Sequence, residues 1–303
     1  PRFITRCRVK KVKKRARHTI RDRKTSGNHM DISSLLTFGS ILSISSLLIH
    51  RQRNPQKFYC ITFDLDDTIW RCRPVIERAA NTFMQYLHSN YPEIAKLYPT
   101  KTEWRTLSAQ VAKEYPDKKY DLSLLRKLCL EKVAKEAGLN PIDVVEPAHK
   151  AFLDERNQVM DQLFPDALEV LKEIQAQGIQ MGAISNGNAV VADISGLRDF
   201  FDFAVNPETA GAKKPSMLPF EQALKWSNAK KPREIIHIGD SITSDVQAAQ
   251  KFGCRTVWIK SGSIWSGTAA SLAGDKVNNG RGDVELNSLS ELLPVLRRWK
   301  VLR

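Results

Sequence analysis

The stretch Ile61-Thr62-Phe63-Asp64-Leu65-Asp66-Asp67-Thr68-Ile69 decides the fold. Its first residues are apolar or β-branched, which favours a buried strand, and carboxylates follow at Asp64 and Asp66. Side chains alternate faces along a strand, so these two carboxylates point together only where the strand ends. A crowded acid pair is costly to desolvate unless a cation lies between its members. The stretch therefore predicts a strand tip that carries a nucleophile and a Mg²⁺ site.

Two later segments repeat the pattern of an apolar strand that ends in polar residues. These strands are predicted at 179–184 and 235–238, and a Lys-Pro pair lies between them. Taken singly, Ser-Asn-Gly is ordinary turn chemistry and an Asp pair can cap a helix. Their joint occurrence in this order is far more specific. The polar residues concerned are Ser185, Asn186, Lys214, Asp240 and Asp245.

These residue types suit the hydrolysis of a phosphate monoester. Its negative oxygens repel nucleophiles, so catalysis needs a cation, a positioned nucleophile and an acid for the leaving oxygen. Asp64 can attack phosphorus, and Asp66 can protonate the leaving oxygen and then activate water. The candidate Mg²⁺ ligands are the carboxylates of Asp64, Asp240 and Asp245 with the backbone carbonyl of Asp66. The candidate phosphate-binding residues are Ser185, Asn186 and Lys214.

The four motifs resemble those of the haloacid dehalogenase (HAD) superfamily, over residues 58–293. The resemblance implies the same roles at the same positions and a helical cap of the C1 type that closes over small substrates. It also implies phosphatase rather than dehalogenase chemistry, because the dehalogenases attack carbon and lack a second Asp like Asp66. The Asn-Gly-Asn at 186–188 and the Pro-Val at 74–75 are similar to phosphatases that act on FMN or on the phosphorylated ribitylaminouracil precursor of riboflavin.

For several residues near these motifs, more than one role is consistent with the sequence. Lys213 competes with Lys214 for phosphate, and Lys214 is favoured because it directly precedes Pro. Asp245 either binds the metal or lies behind its ligands, and His237 is expected to pack in the core. Two further side chains either meet an anionic substrate or stay solvated: Arg71 and Arg73.

Hydrophobic periodicity divides the chain into three parts. Residues 74–162 show helical spacing broken by Pro and Gly, which predicts an inserted all-helical cap domain. Residues 56–73 and 163–303 alternate strands with helices, which predicts a doubly wound parallel α/β sheet. In such sheets ligands bind at the carboxyl ends of the strands. Residues 1–55 form a basic, Ser-rich leader.

Within these parts the pattern predicts particular elements. In the cap, helices are expected at 102–114, 122–137 and 142–163. In the core, helices are expected at 166–177, 190–197, 219–225 and 244–252, and a Gly/Ser/Asn-rich surface loop at 261–282.

The basic charge is concentrated in the leader. The chain carries +14 overall, but residues 1–29 hold twelve Lys/Arg and one acid, which leaves +3 for residues 30–303. The core domain is therefore not expected to bind nucleic acid, and its expected partner is a small phosphorylated metabolite. The five cysteines show no CxxC spacing, which favours a reducing, intracellular compartment over a disulfide framework or a zinc site.

Several interpretations of the leader remain open. Residues 1–53 are consistent with an organellar transit sequence for a plastid or mitochondrion, or with a disordered or untranslated extension of a cytoplasmic protein, and Met30 is an alternative start. The basic run 9–17 is alternatively a nucleic-acid or nuclear-localisation patch. Residues 32–49 are uncharged but Ser-rich, so membrane contact there is a weak alternative.

Two other functions compete with the phosphatase. One is a non-catalytic scaffold that uses the HAD fold as a platform and the basic tail to bind nucleic acid or anionic membrane. The other is a different HAD phosphotransferase, such as a sugar phosphomutase. The oligomeric state is not predicted.

Overall fold

The computed structural model describes residues 57–260 and 282–303. Within these residues six parallel strands form one sheet in the order β3-β2-β1-β4-β5-β6. This order places β1 at the centre, where the direction of winding reverses and where α/β sheets bind their ligands. The strands are β1 Cys60–Phe63, β2 Gln180–Ile184, β3 Phe203–Val205, β4 Ile235–Gly239, β5 Arg255–Ile259 and β6 Val284–Leu286.

Helices fill the connections between the strands. Those between β1 and β2 are α1 Cys72–Asn90, α2 Pro92–Leu97, α3 Lys101–Glu114, α4 Leu122–Glu136, α5 Pro141–Arg156 and α6 Ala167–Ala176. Those that follow β3 are α7 Pro207–Ala210, α8 Leu218–Trp226, α9 Ala248–Phe252 and α10 Leu292–Arg298.

The sheet is covered on both faces. Ile61 and Phe63 of β1 share a core cluster with Leu171 of α6 and Leu292 of α10. Cys60, on the opposite face, belongs to a second cluster with residues of α8 and α9. A strand buried on both faces is apolar without alternation, as the sequence of β1 is. The predicted fold, a doubly wound parallel sheet with an inserted helical cap, is confirmed.

Helices α1 to α5, here called the cap, have a hydrophobic core of their own. At its centre the ring of Phe83 meets that of Trp104 edge-on at 4.8 Å between centroids, and that of Phe152 at 6.2 Å. Thr100 caps α3 through a reciprocal pair of hydrogen bonds with Glu103. The pattern Thr-x-x-Glu is the sequence signature of this kind of helix cap.

The two connections between cap and core are hydrogen-bonded to each other. Arg71 N donates to Gln162 O at 2.9 Å, and Phe164 N donates to Ile69 O at 3.0 Å. The segment that leaves the first motif is therefore paired with the segment that returns to the sheet, which ties the cap entrance to Asp66 and its neighbours.

Some predicted helix limits are wrong. The helix expected over 142–163 ends at Arg156, because Asn157 turns back and its Oδ1 accepts from Val190 N. The helix expected over 190–197 is replaced by short 3₁₀ turns, and Gly196 adopts φ +88°. The helix expected over 244–252 begins earlier, as a π-helix over Ile242–Gln247 that continues into α9. The expected break in the helical pattern at Pro92 does occur, because α1 ends at Asn90 and Pro92 is the first residue of α2.

Several predictions lie outside the described residues. These concern the leader at 1–55 and most of the loop at 261–282. Across 57–260 and 282–303, no helix combines the length and the apolar composition needed to cross a membrane. The cysteines in the same ranges, Cys60, Cys72, Cys129 and Cys254, are all free thiols.

Candidate active site

The carboxyl ends of β1, β2 and β4 meet around one small cavity of about 160 Å³. Asp64 follows β1, Ser185 follows β2 and Asp240 follows β4. Asp64 N donates to Ile238 O at 2.8 Å, which continues the sheet register into the site. All the side chains predicted for the site line this cavity: Asp64, Asp66, Ser185, Asn186, Lys214, Asp240 and Asp245.

Three buried carboxylates form the floor of the cavity. Asp64, Asp240 and Asp245 each offer an oxygen within 4.8 Å of the other two. The π-helical turn after β4 brings Asp245 back over the strand end, and its Oδ2 accepts from Ser241 N at 3.0 Å. A Cβ at Gly239 would lie 2.4 Å from Asp245 Cγ, so only glycine leaves room for this return.

Lys214 is buried against the same carboxylates. Its Nζ lies 2.6 Å from Oδ1 of Asp64 and 2.6 Å from Oδ1 of Asp245, and it also donates to the carbonyl of Ile184. The amide of Asn186 holds the Lys214 backbone, accepting from its N–H at 2.7 Å and donating to its carbonyl at 3.0 Å. Lys213 is exposed, so Lys214 is the lysine that enters the site.

Charge balance in the site favours a bound cation. Burial raises the pKa of Asp64 to about 7 despite the nearby Lys214 ammonium. Burial and the Asp64 charge raise the pKa of Asp240 to about 8. Burial also opposes ionisation of Asp245, but Lys214 and His237 outweigh it and lower its pKa to about 2. Among the described residues, one ammonium, that of Lys214, faces the three carboxylates. An oxygen-only set of ligands with this surplus of negative charge fits Mg²⁺.

Asp66 lies apart from the three-carboxylate floor. Its Oδ1 accepts from Trp70 Nε1 at 2.8 Å. Nη2 of Arg156 lies 2.7 Å from Oδ1 and 2.6 Å from Oδ2 of the same carboxylate. The Asp66 carboxylate is therefore not one of the clustered groups, and its predicted contribution to the metal site, a backbone carbonyl, stays a prediction.

Other side chains position the floor. Thr68 Oγ1 lies 3.4 Å from Asp64 Oδ2 and 3.4 Å from Asp240 Oδ1. Trp258 Nε1 donates to Asp240 O at 2.8 Å. His237 is buried, with Nε2 3.2 Å from Asp245 Oδ1, so it supports Asp245 from within the core.

The cap contacts the site near the loop after β2. Asn188 Nδ2 lies 3.5 Å from Ser123 Oγ of α4. The two arginines that follow the first motif have local partners: Arg71 lies over the Phe164 ring at 5.1 Å, and Arg73 pairs with Glu77 at 2.8 Å in an exposed position.

Sequence reasoning missed the contributions of Arg156, Trp70 and Trp258. Arg156 lies 90 residues from Asp66, and a basic residue in the last turn of a helix is common for reasons of helix dipole alone. No local signal marks it as a partner of the first motif. Trp70 follows Asp66 by four residues, but only the turn between them brings its indole N–H back to the Asp66 carboxylate.

A family model described as haloacid dehalogenase-like hydrolase matches residues 59–253. The chain belongs to this family. Among curated relatives, the 5-amino-6-(5-phospho-D-ribitylamino)uracil phosphatase YigB of Escherichia coli is 31% identical over 208 residues, which cover 66% of this chain and 82% of that protein. The human haloacid dehalogenase-like hydrolase domain-containing protein 3 is 27% identical over 209 residues, or 66% of this chain and 80% of that one.

The solved structures agree on the family. The 2-haloacid dehalogenase of Pseudomonas syringae superposes with a TM-score of 0.68 at 30% identity, covering 80% of this chain and 99% of that chain. The predictions of a HAD hydrolase and of an enzyme of the phosphatase class are confirmed at the level of the family and its phosphatase-named relatives.

Proposed function

We propose that this protein is a Mg²⁺-dependent phosphatase that hydrolyses a small-molecule phosphate monoester through an aspartyl-phosphate on Asp64. The observation that carries this proposal is the separation of two kinds of carboxylate. Asp64 lies beside Lys214 in a buried cluster of three carboxylates that could hold a cation. Asp66 lies outside this cluster and accepts a hydrogen bond from Arg156. The arrangement provides a nucleophile and a separate group for proton transfer.

The chain's own groups supply each proton and bond change. An Asp64 oxygen attacks phosphorus while the ester P–O bond breaks, and Asp66 gives its proton to the leaving oxygen. Asp66 then takes a proton from water, which attacks phosphorus as the bond to Asp64 breaks and releases phosphate. Lys214 and the Ser185 hydroxyl stabilise the phosphoryl oxygens. Mg²⁺, bound by Asp64, Asp240, Asp245 and the carbonyl of Asp66, would neutralise the same oxygens.

The substrate is proposed to be a small phosphorylated metabolite. A cavity of about 160 Å³ has room for a phosphoryl group, and Ser123 of the cap contacts Asn188 in the loop after β2. The relative that acts on 5-amino-6-(5-phospho-D-ribitylamino)uracil makes a riboflavin-pathway phosphate the first substrate to test. The similarity of 186–188 to FMN phosphatases supports the same choice.

The test is phosphate release from a panel of esters by the full chain. The panel contains 5-amino-6-(5-phosphoribitylamino)uracil, FMN, glyceraldehyde 3-phosphate and p-nitrophenyl phosphate, each with Mg²⁺ or with EDTA. Asp64→Asn is the matched control, because it keeps the shape of the side chain but removes the nucleophile. Mg²⁺-dependent release that the control abolishes supports the proposal, and a folded, Mg²⁺-replete protein that releases phosphate from none of the esters contradicts it.

Dehalogenation is the second candidate, because the solved structure at 30% identity is that of a 2-haloacid dehalogenase. Attack on a carbon–halogen bond expels a halide, which needs no proton. In dehalogenation, the carboxylate that Arg156 and Trp70 position at Asp66 would therefore not be needed as an acid. Chloride release from 2-chloropropionate, measured on the same preparation, separates the two activities.

A further inference from the structure

Arg156 is a cap residue whose charged group lies in the core. It ends α5, its side chain is completely buried, and its Nη2 donates to both oxygens of Asp66 at 2.7 and 2.6 Å. Asp66 retains about a fifth of its side-chain surface, on the side that lines the cavity. The contact thus joins the cap to a carboxylate that faces the reaction centre.

Fold stability does not explain this contact. Nε and Nη1 of Arg156 are buried and have no hydrogen-bond partner among the described residues. Taking a guanidinium out of water costs several kcal/mol, and a single ion pair with unsatisfied donors repays little of it. An apolar side chain in this position would serve packing as well, so the position of Asp66 is the property that Arg156 provides.

The orientation of Asp66 depends on few other groups. Trp70 Nε1 donates to Oδ1 only. On the far side, a Cβ at Gly187 would lie 2.4 Å from Oδ2 of Asp66, 3.1 Å from Nη2 of Arg156 and 3.4 Å from Oγ of Ser185, so a glycine leaves the room that this contact needs. Among the described residues, Arg156 is the group that contacts both carboxylate oxygens and so sets the plane of the carboxylate.

We propose that Arg156 is the positioning residue through which the cap orients Asp66 for proton transfer to the leaving oxygen. This inference rests on the proposed phosphatase function. In this view the core supplies the carboxylate of the general acid, and the last turn of α5 in the cap sets the orientation of that carboxylate. A cap whose α5 is displaced would leave Asp66 held by neighbours in its own segment, among them Trp70 and Cys72.

The inference predicts a dependence on the leaving group. An alkoxide is a strong base and must be protonated as it departs, whereas p-nitrophenolate departs without a proton. Since kcat/KM reports the steps up to the first P–O cleavage, a misplaced acid lowers kcat/KM for an alkyl phosphate far more than for an aryl phosphate. The second half-reaction is shared, so kcat falls for both substrates.

The experiment compares glycerol 3-phosphate with p-nitrophenyl phosphate in the Mg²⁺-replete full chain. For Arg156→Met, we expect kcat/KM to fall on the order of 10²-fold for glycerol 3-phosphate and less than about 10-fold for p-nitrophenyl phosphate. Arg156→Lys keeps the charge on a shorter side chain, so its kcat/KM for the alkyl ester should fall between those of wild type and Arg156→Met. In an Asp66→Asn background, Arg156→Met should add less than about threefold, because the group it positions is already inactive.

Arg78→Met is the matched control. Arg78 pairs with Asp161 at 2.8 Å and also with Glu155, so its loss removes a guanidinium from the same region without touching Asp66. It should change kcat/KM for the two esters by the same factor.

The outcomes separate the two proposals. Equal loss on both esters in the Arg156 variants, or full additivity with Asp66→Asn, would overturn the positioning role. If Arg156→Met does not fold, Arg156→Lys decides the question, and failure of both to fold makes Arg156 a structural residue and contradicts the inference. A folded wild-type protein that is inactive on these two esters and on the whole panel above contradicts the phosphatase itself.

Discussion

The ammonium group of Lys214 lies 2.6 Å from Oδ1 of Asp64, although 150 residues separate them in the chain. Lys214 also bridges to Asp245, so one side chain joins the second half of the core to the first strand. The pair is buried, and its burial raises the pKa of Asp64 even beside the ammonium. The buried carboxylates of the site therefore carry more negative charge than the ammonium of Lys214 neutralises.

Removal of that ammonium should be costly. Lys214→Met leaves Asp64 and Asp245 buried without their cation, and the free energy of unfolding should fall by about 3–5 kcal/mol in EDTA. Part of the loss should return with Mg²⁺, because the ion offsets the same charges. Urea unfolding with and without Mg²⁺ measures both effects. Lys213→Met, which removes an exposed neighbour, should leave stability within about 0.5 kcal/mol.

Mg²⁺ should stabilise the folded protein through the carboxylate floor. Binding to the native state raises the melting temperature by mass action, and Asp240→Asn should abolish this rise because it removes a ligand from the cluster. Thermal unfolding across a Mg²⁺ titration is the measurement. Asp117→Asn, at an exposed position in the cap, should keep the wild-type response. An undiminished response in Asp240→Asn would place the ion elsewhere.

Gly187 should not tolerate a side chain. A Cβ there would lie 2.4 Å from Oδ2 of Asp66, so Gly187→Ala must displace the carboxylate or the loop. We expect kcat/KM for an alkyl phosphate to fall at least about 10-fold while the circular dichroism spectrum is kept. Gly138→Ala is the control. Its Cβ meets open space and it strains only a positive φ, so it should cost about 1 kcal/mol and leave kcat/KM unchanged. Wild-type activity in Gly187→Ala would show that the loop adapts.

His149 should make the fold acid-sensitive. Burial, with Lys127 and Arg126 nearby, lowers its pKa to about 4, so the folded protein holds it neutral. In the unfolded chain, His149 takes up a proton below about pH 6.5, whereas in the folded protein it stays neutral down to about pH 4. The neutral His149 therefore contributes its full share of the unfolding free energy above about pH 6.5, and this share is lost as the pH falls toward 4. The loss should amount to roughly 1–3 kcal/mol. His149→Gln should flatten the fall in unfolding free energy between pH 7 and 5, and parallel curves for the two proteins would contradict the assignment.

Local sequence accounts for much of the fold because each element carries its own signal. The apolar run 61–63, the helical spacing of α1 and the Thr-x-x-Glu cap of α3 all depend on neighbours within a few positions. Some predicted limits were wrong because a distant partner intervenes. The end of α5 is an example, because Asn157 is held by Val190 of the loop after β2.

The motifs of the site were equally visible in the sequence, since parallel strands bring their carboxyl ends to one edge of the sheet. That rule is enough to assemble Asp64, Ser185 and Asp240 before any coordinates are known. It does not say which side chain each carboxylate contacts. The side-chain amide of Asn186 holds the backbone of Lys214 in the structure, a contact that the sequence did not indicate, and the backbone N–H of Asn186 stays the predicted phosphate donor.

The sequence by itself determined the sheet, the inserted helices and the order of acids and lysine along the chain, because strand and helix periodicity and motif order are local or topological properties. Only the tertiary structure decided that Arg156 of the cap holds Asp66 and that Lys214 is shared by Asp64 and Asp245. These contacts depend on how two separately packed clusters meet and on which charges lose their water. Neither is encoded within any short segment.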